Sequence, residues 1–136
     1  MKLESTNPKD KLGKMKPPMH LIPPAALIYE AVVMGLGAKK YGPYNWREHT
    51  VALSVYIAAA LRHIHSFHDG EDIDPESGAS HLAHARACLG IILDAQSLGM
   101  LVDDRPKAGA AAGLITRLTQ TMPENPVVKN ITNNSH

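Results

Sequence analysis

Between Asp69 and His84 the chain reads DGEDIDPESGASHLAH. Five carboxylates fall within eight residues there (Asp69, Glu71, Asp72, Asp74 and Glu76), and two histidines three apart, His81 and His84, follow a small-residue turn. In a helix those two imidazoles project from one face. Carboxylate oxygens and imidazole nitrogens together suit a hard or borderline divalent ion such as Mg²⁺, Mn²⁺ or Co²⁺. Such ions hold phosphates and activate water. A plainer reading uses the same residues: acids near a helix start are favoured by the helix dipole, and histidines at i and i+3 hydrogen-bond to nearby backbone or carboxylates. Registry excludes an EF-hand. Counted from Asp72 as position one, the sixth residue is Ser77 rather than Gly, and the twelfth is Ala83 rather than Glu. An HD-type phosphohydrolase would use His68-Asp69 with Asp94 or Asp103, but that doublet belongs inside a helix and Gly70 follows it at once. On the other readings His65 and His68 are solvent-facing.

A second concentration of chemistry lies in AKKYGPYNWRE, residues 38–48. Lys39, Lys40, Tyr41, Tyr44, Asn45, Trp46 and Arg47 place three cations, three rings and an amide within nine residues. Triphosphates need cations, and a base needs a ring to stack on and polar edges that read it. Arg47 has the fork that grips phosphate bidentately. Trp46, the single tryptophan, reads equally as a core anchor, and Lys39 and Lys40 as solvated. Lys9 and Lys16 are placed to fold back over an anionic ligand if the N-terminal arm docks. Glu30 is either a further ligand or half of a surface salt bridge.

These groups need positioning elements. Residues 1–24 read as an extended arm, because Pro8, Pro17, Pro18, Pro23 and Pro24 oppose a continuous helix. Its KPPMHLIPP segment suggests docking on the body or on a neighbouring subunit, with His20 structural. Pro24 suits the first position of a helix, which is expected from Ala25 to about Leu36, with Gly35 and Gly37 as stops. A stronger helix spans His49 to His68, where Val51, Ser54, Val55, Ala58, Leu61 and Ile64 form one apolar stripe. The acidic loop follows. Ser80 is an N-cap candidate for a helix from His81 to Leu98 carrying Leu82, Ala85, Leu89, Ile92, Leu93 and Ala95, with Gly99 closing it. This antiparallel pair would bring Arg62 and His63, at the end of one helix, to His81 and His84 at the start of the other. The packed domain, 25–106, ends near Asp103 and Pro106. Residues 107–136 form a C-terminal extension with a short helix near Gly113 to Thr121 and a flexible polar tail.

The composition fits this all-α reading. In 136 residues the hydrophobic share is 44% and aromatics are 4%, which suits aliphatic helix packing better than a β-sandwich. A net charge of +1 implies no general attraction to nucleic acid or membrane. A lone Cys88 makes an internal disulfide impossible and points to a reducing cytoplasm. The polar, lysine-rich start shows no signal peptide, and no apolar run approaches bilayer length. The Asn130-Ile131-Thr132 sequon carries little weight in such a chain.

Taken in order, NPKDKLGKMKPPMHLIPP, GAKKYGPYNWRE, LRHIHSFHDGEDIDPESGASHLAHARACLGIILDA and DDRP resemble the phage dATP/dGTP diphosphohydrolase N-terminal family, the group that includes MazZ. The resemblance covers roughly residues 7–106. It implies an all-α fold of the MazG type and metal-dependent cleavage of a purine deoxynucleoside triphosphate, dATP or dGTP, to monophosphate and pyrophosphate. In phages that replace adenine by 2-aminoadenine, such an enzyme depletes dATP and supplies dGMP. One departure stands out. The paired MazG helical motifs, Glu-x-x-Glu and Glu-x-x-Asp, are absent, and the corresponding helices offer Arg62-His63 and His81-x-x-His84. Either loop acids replace the helical carboxylates or the kinship is looser.

On this reading Glu71, Asp74, His81 and His84 hold two or more divalent ions, assisted by Asp72 or His63. A bound water attacks the α-phosphorus, with Glu76 accepting its proton, while Arg62, Arg47 and Lys40 neutralise the leaving pyrophosphate. Tyr44, Asn45 and Trp46 recognise the base. Small bundles of this type complete themselves by oligomerisation, and the Ala83, Ala85, Ala87 and Gly90 series permits close helix contact, so a homodimer or tetramer is expected. The expected location is the cytoplasm, that of the host if phage-encoded. The alternatives are an HD-type triphosphohydrolase and a non-catalytic, metal-stabilised nucleotide-binding module.

Overall fold

The computed structural model describes residues 2–123. The chain divides into two compact units, Met1–Asp104 and Arg105–His136. In the first unit the arm is not uniformly extended. A short helix, α1 (Pro8–Gly13), begins where Asn7 caps it, its side chain accepting from the Lys9 N–H at 2.9 Å. Pro8 takes the first helical position, where its missing N–H removes no intrahelical bond. A 3-10 turn follows at Met19–Leu21.

Pro24 opens α2 (Pro24–Tyr41), as the sequence suggests, but the helix runs past Leu36 and through both glycines. Helices stop on glycine when the chain turns to positive φ, and the residue that does so is Gly42, at φ 90°, its N–H returning to the Ala38 carbonyl. The residues expected as loop, Ala38 to Tyr41, are therefore the last turn of α2. Asn45–Arg47 form a 3-10 turn.

The next helix starts at Leu53 rather than His49. Val51–Ala52 (β1) is extended and pairs in parallel with Leu101–Val102 (β2), Val51 opposite Leu101 and Ala52 opposite Val102. Ala52 offers α3 (Leu53–His68) no side-chain cap. Asp104 supplies it from the far end of the unit: Ser54 donates its backbone N–H to one carboxylate oxygen at 2.8 Å and its hydroxyl to the other. After the acidic loop, Ser80 caps α4 (His81–Ser97) by accepting from the Ala83 N–H at 3.3 Å, and Gly99 at φ 70° ends it.

α4 packs against both α3 and α2. The buried positions are small: Ala60 on α3, and Ala83, Ala85, Ala87 and Ala95 with Ile92 on α4. Val33 of α2 closes on Ala79, Ala83 and Ala87. Small side chains let helix axes approach closely. The apolar stripe expected on α3 is not the inward face. Val55 and Leu61 are 61% and 49% exposed, whereas Leu53 and Ala60 are buried and Tyr56 and His63 half-buried. α3 is apolar on more than one side, so periodicity alone does not choose the face. On α4, likewise, the alanines are inward and Leu82, Leu89 and Leu93 are exposed.

The fold is all-α, with two strands of two residues each among the described residues. In the second unit, α5 (Ala111–Thr119) is solvent-exposed along its length, with Thr116 and Thr119 donating back to the carbonyls of Ala112 and Ile115. The expected tail beyond residue 123, sequon included, lies outside the described residues. No helix among the described residues is long and apolar enough to cross a membrane.

Candidate metal centre and adjoining cavity

The turn between α3 and α4 folds the acidic loop back over the helix ends. The Asp74 N–H donates to the Ala79 carbonyl, the Gly78 N–H to the Asp74 carbonyl, and the His81 N–H to the Asp72 carbonyl. Ile73 and Ser80 make an isolated antiparallel bridge. Inside this turn Asp74 is the acid that faces inward. Its carboxylate accepts from the Glu76 N–H at 3.1 Å and the Ser77 hydroxyl at 3.0 Å.

Asp74 meets His63 from α3 and His84 from α4. One ligand atom from each lies within 4.8 Å of the others. The two imidazoles stack face to face, 4.4 Å between centroids. Ser77 Oγ, donating to Asp74, lies 2.7 Å from His84 Nε2 and accepts from it when that nitrogen is protonated. Burial lowers the affinity of both histidines for a proton. For His63 the neighbouring His84, His81 and Arg62 add to that effect, and Asp74 opposes it. For His84, Asp74 again opposes, while His81 and Lys40 act with burial. Burial pushes the Asp74 carboxyl up, but the bonds from Glu76 and Ser77 and the charges of the two histidines outweigh this and hold it below its ordinary value. Two imidazoles poised neutral beside an ionised carboxylate form a donor set for a borderline divalent cation.

His81, the other histidine of the pair, is buried and lies outside the trio. Its Nε2–H donates to Glu71 Oε1 at 2.6 Å, and its Nδ1 lies 2.8 Å from His63 Nδ1. Where His81 Nδ1 accepts, His63 donates from Nδ1 and its own Nε2 carries the lone pair. Glu71 and His81 thus lie outside the trio and in a chain of contacts to His63, where an outer partner of a metal-binding histidine is commonly found. Asp72 contributes its carbonyl, and its carboxylate is not part of the trio. Glu76 contributes its N–H to Asp74, and its exposed carboxylate acts on His84 electrostatically.

Two exposed cations flank the trio. Lys40, at the end of α2, acts on His84, and Arg62, beside His63, acts on His63. Neither is in an ion pair with a described residue. Lys39 is exposed without such a link to the trio. Lys16 lines a separate cleft formed within the arm, with Ser5, Lys9 and Asp10. Glu30 is bound to Arg86 at 3.1 Å, which is the salt-bridge reading. His68 and Asp69 end α3 outside the trio, and Asp94 is engaged elsewhere, so the residues of an HD-type site are not gathered.

His84 also lines a cavity of about 460 Å³ between the end of α2, the 42–47 turn, α3 and α4. Its walls include Tyr41, Tyr44, Asn45, Trp46 and Tyr56, and its floor includes Ala87, Cys88 and Ile91. The volume and the aromatic lining suit a planar heterocycle. Tyr44 and Trp46 lie 5.3 Å apart, and the Arg47 guanidinium sits 4.5 Å over the Tyr44 ring. Arg47 is occupied: it binds Asp94 through Nε and Nη2 at 2.8 and 3.0 Å. Arg47, expected to grip phosphate, thus has Nε and Nη2 engaged by Asp94 while its guanidinium lies over the Tyr44 ring. Sequence reading missed Ser77 and the cavity residues Tyr56 and Ile91. Ser77 carried a local signal, an Asp three residues before it in a turn.

A family model described as dATP/dGTP diphosphohydrolase, N-terminal, matches residues 6–105. A protein of Salmonella phage PMBT28 called "dATP/dGTP diphosphohydrolase" is 31% identical over 104 residues, covering 76% of this chain and 35% of the phage protein. This chain therefore spans about a third of the length of that relative. No solved structure matches. The matched segment contains the trio, the acidic turn and the aromatic wall, and the chain belongs to the dATP/dGTP diphosphohydrolase N-terminal family.

Proposed function

We propose that this chain is a metal-dependent pyrophosphohydrolase that converts dATP and dGTP to the monophosphate and pyrophosphate. The observation that carries the reading is the shared position of His84, which is both a member of the cation-binding trio and part of the wall of the aromatic cavity. A triphosphate lying across that boundary has its base in the cavity and its phosphates at the trio.

His63, Asp74 and His84 would hold the ion, which supplies charge neutralisation at the phosphate oxygens and a more acidic bound water. Two imidazoles in the donor set favour Mn²⁺ or Co²⁺ over Mg²⁺. Glu76, exposed beside His84, accepts the proton of the water that attacks the α-phosphorus. The bond that breaks joins the α-phosphorus to its bridging oxygen. Lys40 and Arg62, unpaired with acids among the described residues, take up charge on the departing pyrophosphate. Glu71 acts through His81, fixing the His63 ring. Tyr41, Tyr44 and Trp46 stack the base, and the Asn45 amide offers one donor and one acceptor to its edge. A second copy of the chain covering the apolar outer faces of α2 and α3 agrees with this reading, as does a cytoplasmic setting.

The test is a product assay with dATP and dGTP in Mg²⁺, Mn²⁺ and Co²⁺. Monophosphate plus pyrophosphate supports the proposal. Nucleoside plus tripolyphosphate would assign HD-type chemistry instead, and binding without turnover would leave a nucleotide-binding module.

A further inference from the structure

The cavity wall is held from outside the cavity. Asp94 lies on α4 one turn beyond Ile91 and does not line the cavity. Its carboxylate takes three donors from the 42–47 turn. Trp46 Nε1 donates to Oδ2 at 2.6 Å, Arg47 Nε to the same oxygen at 2.8 Å, and Arg47 Nη2 to Oδ1 at 3.0 Å. The partners are 47 and 48 residues apart, so nothing local makes this contact. From Asp94 the hold passes through Arg47 to the Tyr44 ring 4.5 Å below it. Tyr44 needs holding, because it has a left-handed backbone at φ 55°, ψ 32°, a conformation uncommon for a side chain of that size.

An exposed ion pair alone contributes little, and Arg47 and Asp94 are 47% and 31% exposed. The geometry here is more demanding than a lone pair. One carboxylate satisfies an indole N–H and a guanidinium fork together, which fixes the planes of both residues.

We propose that Asp94 is the positioning residue of the base subsite: by binding Trp46 and Arg47 together it sets the aromatic wall on which the purine ring stacks. This rests on the reading of the cavity given under the proposed function. The wall itself, however, is testable without turnover, because Trp46 is the single tryptophan of the chain.

The experiment compares the full chain with Asp94→Asn and Asp94→Ala, using Trp46 emission, dGTP turnover and Mn²⁺ titration. Asp94→Ala is expected to shift Trp46 emission and expose it to acrylamide quenching. KM for dGTP should rise roughly 5- to 150-fold, the range of base–aromatic stacking, with a smaller change in kcat. Mn²⁺ affinity should be unchanged, which also shows that the α3–α4 site has folded. Asp94→Asn, which keeps one acceptor, should fall between wild type and Asp94→Ala, and it decides the matter if Asp94→Ala does not fold. Unaltered Trp46 emission and quenching in a folded variant would overturn the proposal, as would a loss of kcat at constant KM. If wild type turns over no triphosphate, the functional reading fails by itself. The effect of dGTP on Trp46 emission, present in wild type and absent in Asp94→Ala, then decides the positioning role, and equal responses would refute it.

Discussion

His63 and His84 lie ring upon ring, 4.4 Å between centroids and 6° from parallel, although they come from different helices. Two imidazolium ions do not share such a stack comfortably. Burial already disfavours the charged form of each, and each is further disfavoured by another histidine nearby.

The stack has a pH signature. Both folded-state pKa values lie below the ordinary 6.5. Between the lowered value and 6.5 the unfolded chain binds more protons than the folded one. Stability then rises with pH and is lost as pH falls below 6.5, until the folded rings protonate too. The metal-free protein should show a falling melting temperature on acidification through this window. Mn²⁺ binding should persist below 6.5 and fail when the rings charge. A melting temperature insensitive to pH from 7 down to 5 would contradict the neutral stack.

Asp74→Asn keeps an acceptor for the Glu76 N–H but removes the anionic ligand. Mn²⁺ affinity measured by calorimetry should fall by roughly a hundredfold or more, beyond the 10- to 100-fold typical of an outer partner, with little change in helical circular dichroism. Retained Mn²⁺ affinity would place the ion elsewhere.

Glu71→Gln tests the outer partner. The amide still contacts His81, but it no longer enforces the proton arrangement that frees His63 Nε2. A loss of about 10- to 100-fold in metal affinity or activity is expected. If Glu71 bound the ion directly, its loss would equal that of Asp74→Asn.

Asp74 shows what the sequence could and could not convey. The concentration of acids before paired histidines was visible at once, and so was the meeting of His63 with the start of the next helix. Asp74 was expected to hold an ion together with Glu71, and spacing alone did not separate the two. That choice is made by the Glu76 N–H and the Ser77 hydroxyl, which fix Asp74 and leave Asp69 and Asp72 outside the trio. The i, i+3 spacing of His81 and His84 gave a shared face, yet one ring joins the trio and the other supports it. Helix caps at Ser80 and Gly99 were legible because capping is local. The Asp104 cap on α3 and the Asp94 hold on Arg47 were not, since they join segments 50 and 47 residues apart. The end of α2 was misplaced because Gly35 and Gly37 permit a stop without requiring one.

Gly37 offers a test that separates stability from binding. A methyl group there meets nothing within 4 Å, and the residue sits inside α2 on the cavity wall. Gly37→Ala should stabilise the fold by about 0.5–1 kcal/mol, measured by urea denaturation. It should also raise KM for dGTP by narrowing the cavity. Increased stability with unaltered KM would remove the base from this part of the cavity.

Cys88 reports occupancy without any mutation. It is the chain's single cysteine, it lines the cavity, and burial raises its thiol pKa while Arg62 acts in the opposite sense. Reaction with an aromatic disulfide reagent should be slow at neutral pH and slower still with saturating dGTP. Equal rates with and without nucleotide would mean the cavity stays empty.

The trio is drawn entirely from the stretch His63 to His84, one helix end, one turn and one helix start, whereas the cavity also needs α2. The trio therefore depends on the α3–α4 hairpin alone, and the cavity on α2 as well. That hairpin is closed at its other end by the β1–β2 pair and the Asp104 clasp. On the proposed reading, an ion held by the trio would stabilise this hairpin by mass action, and α2 would complete the cavity beside it.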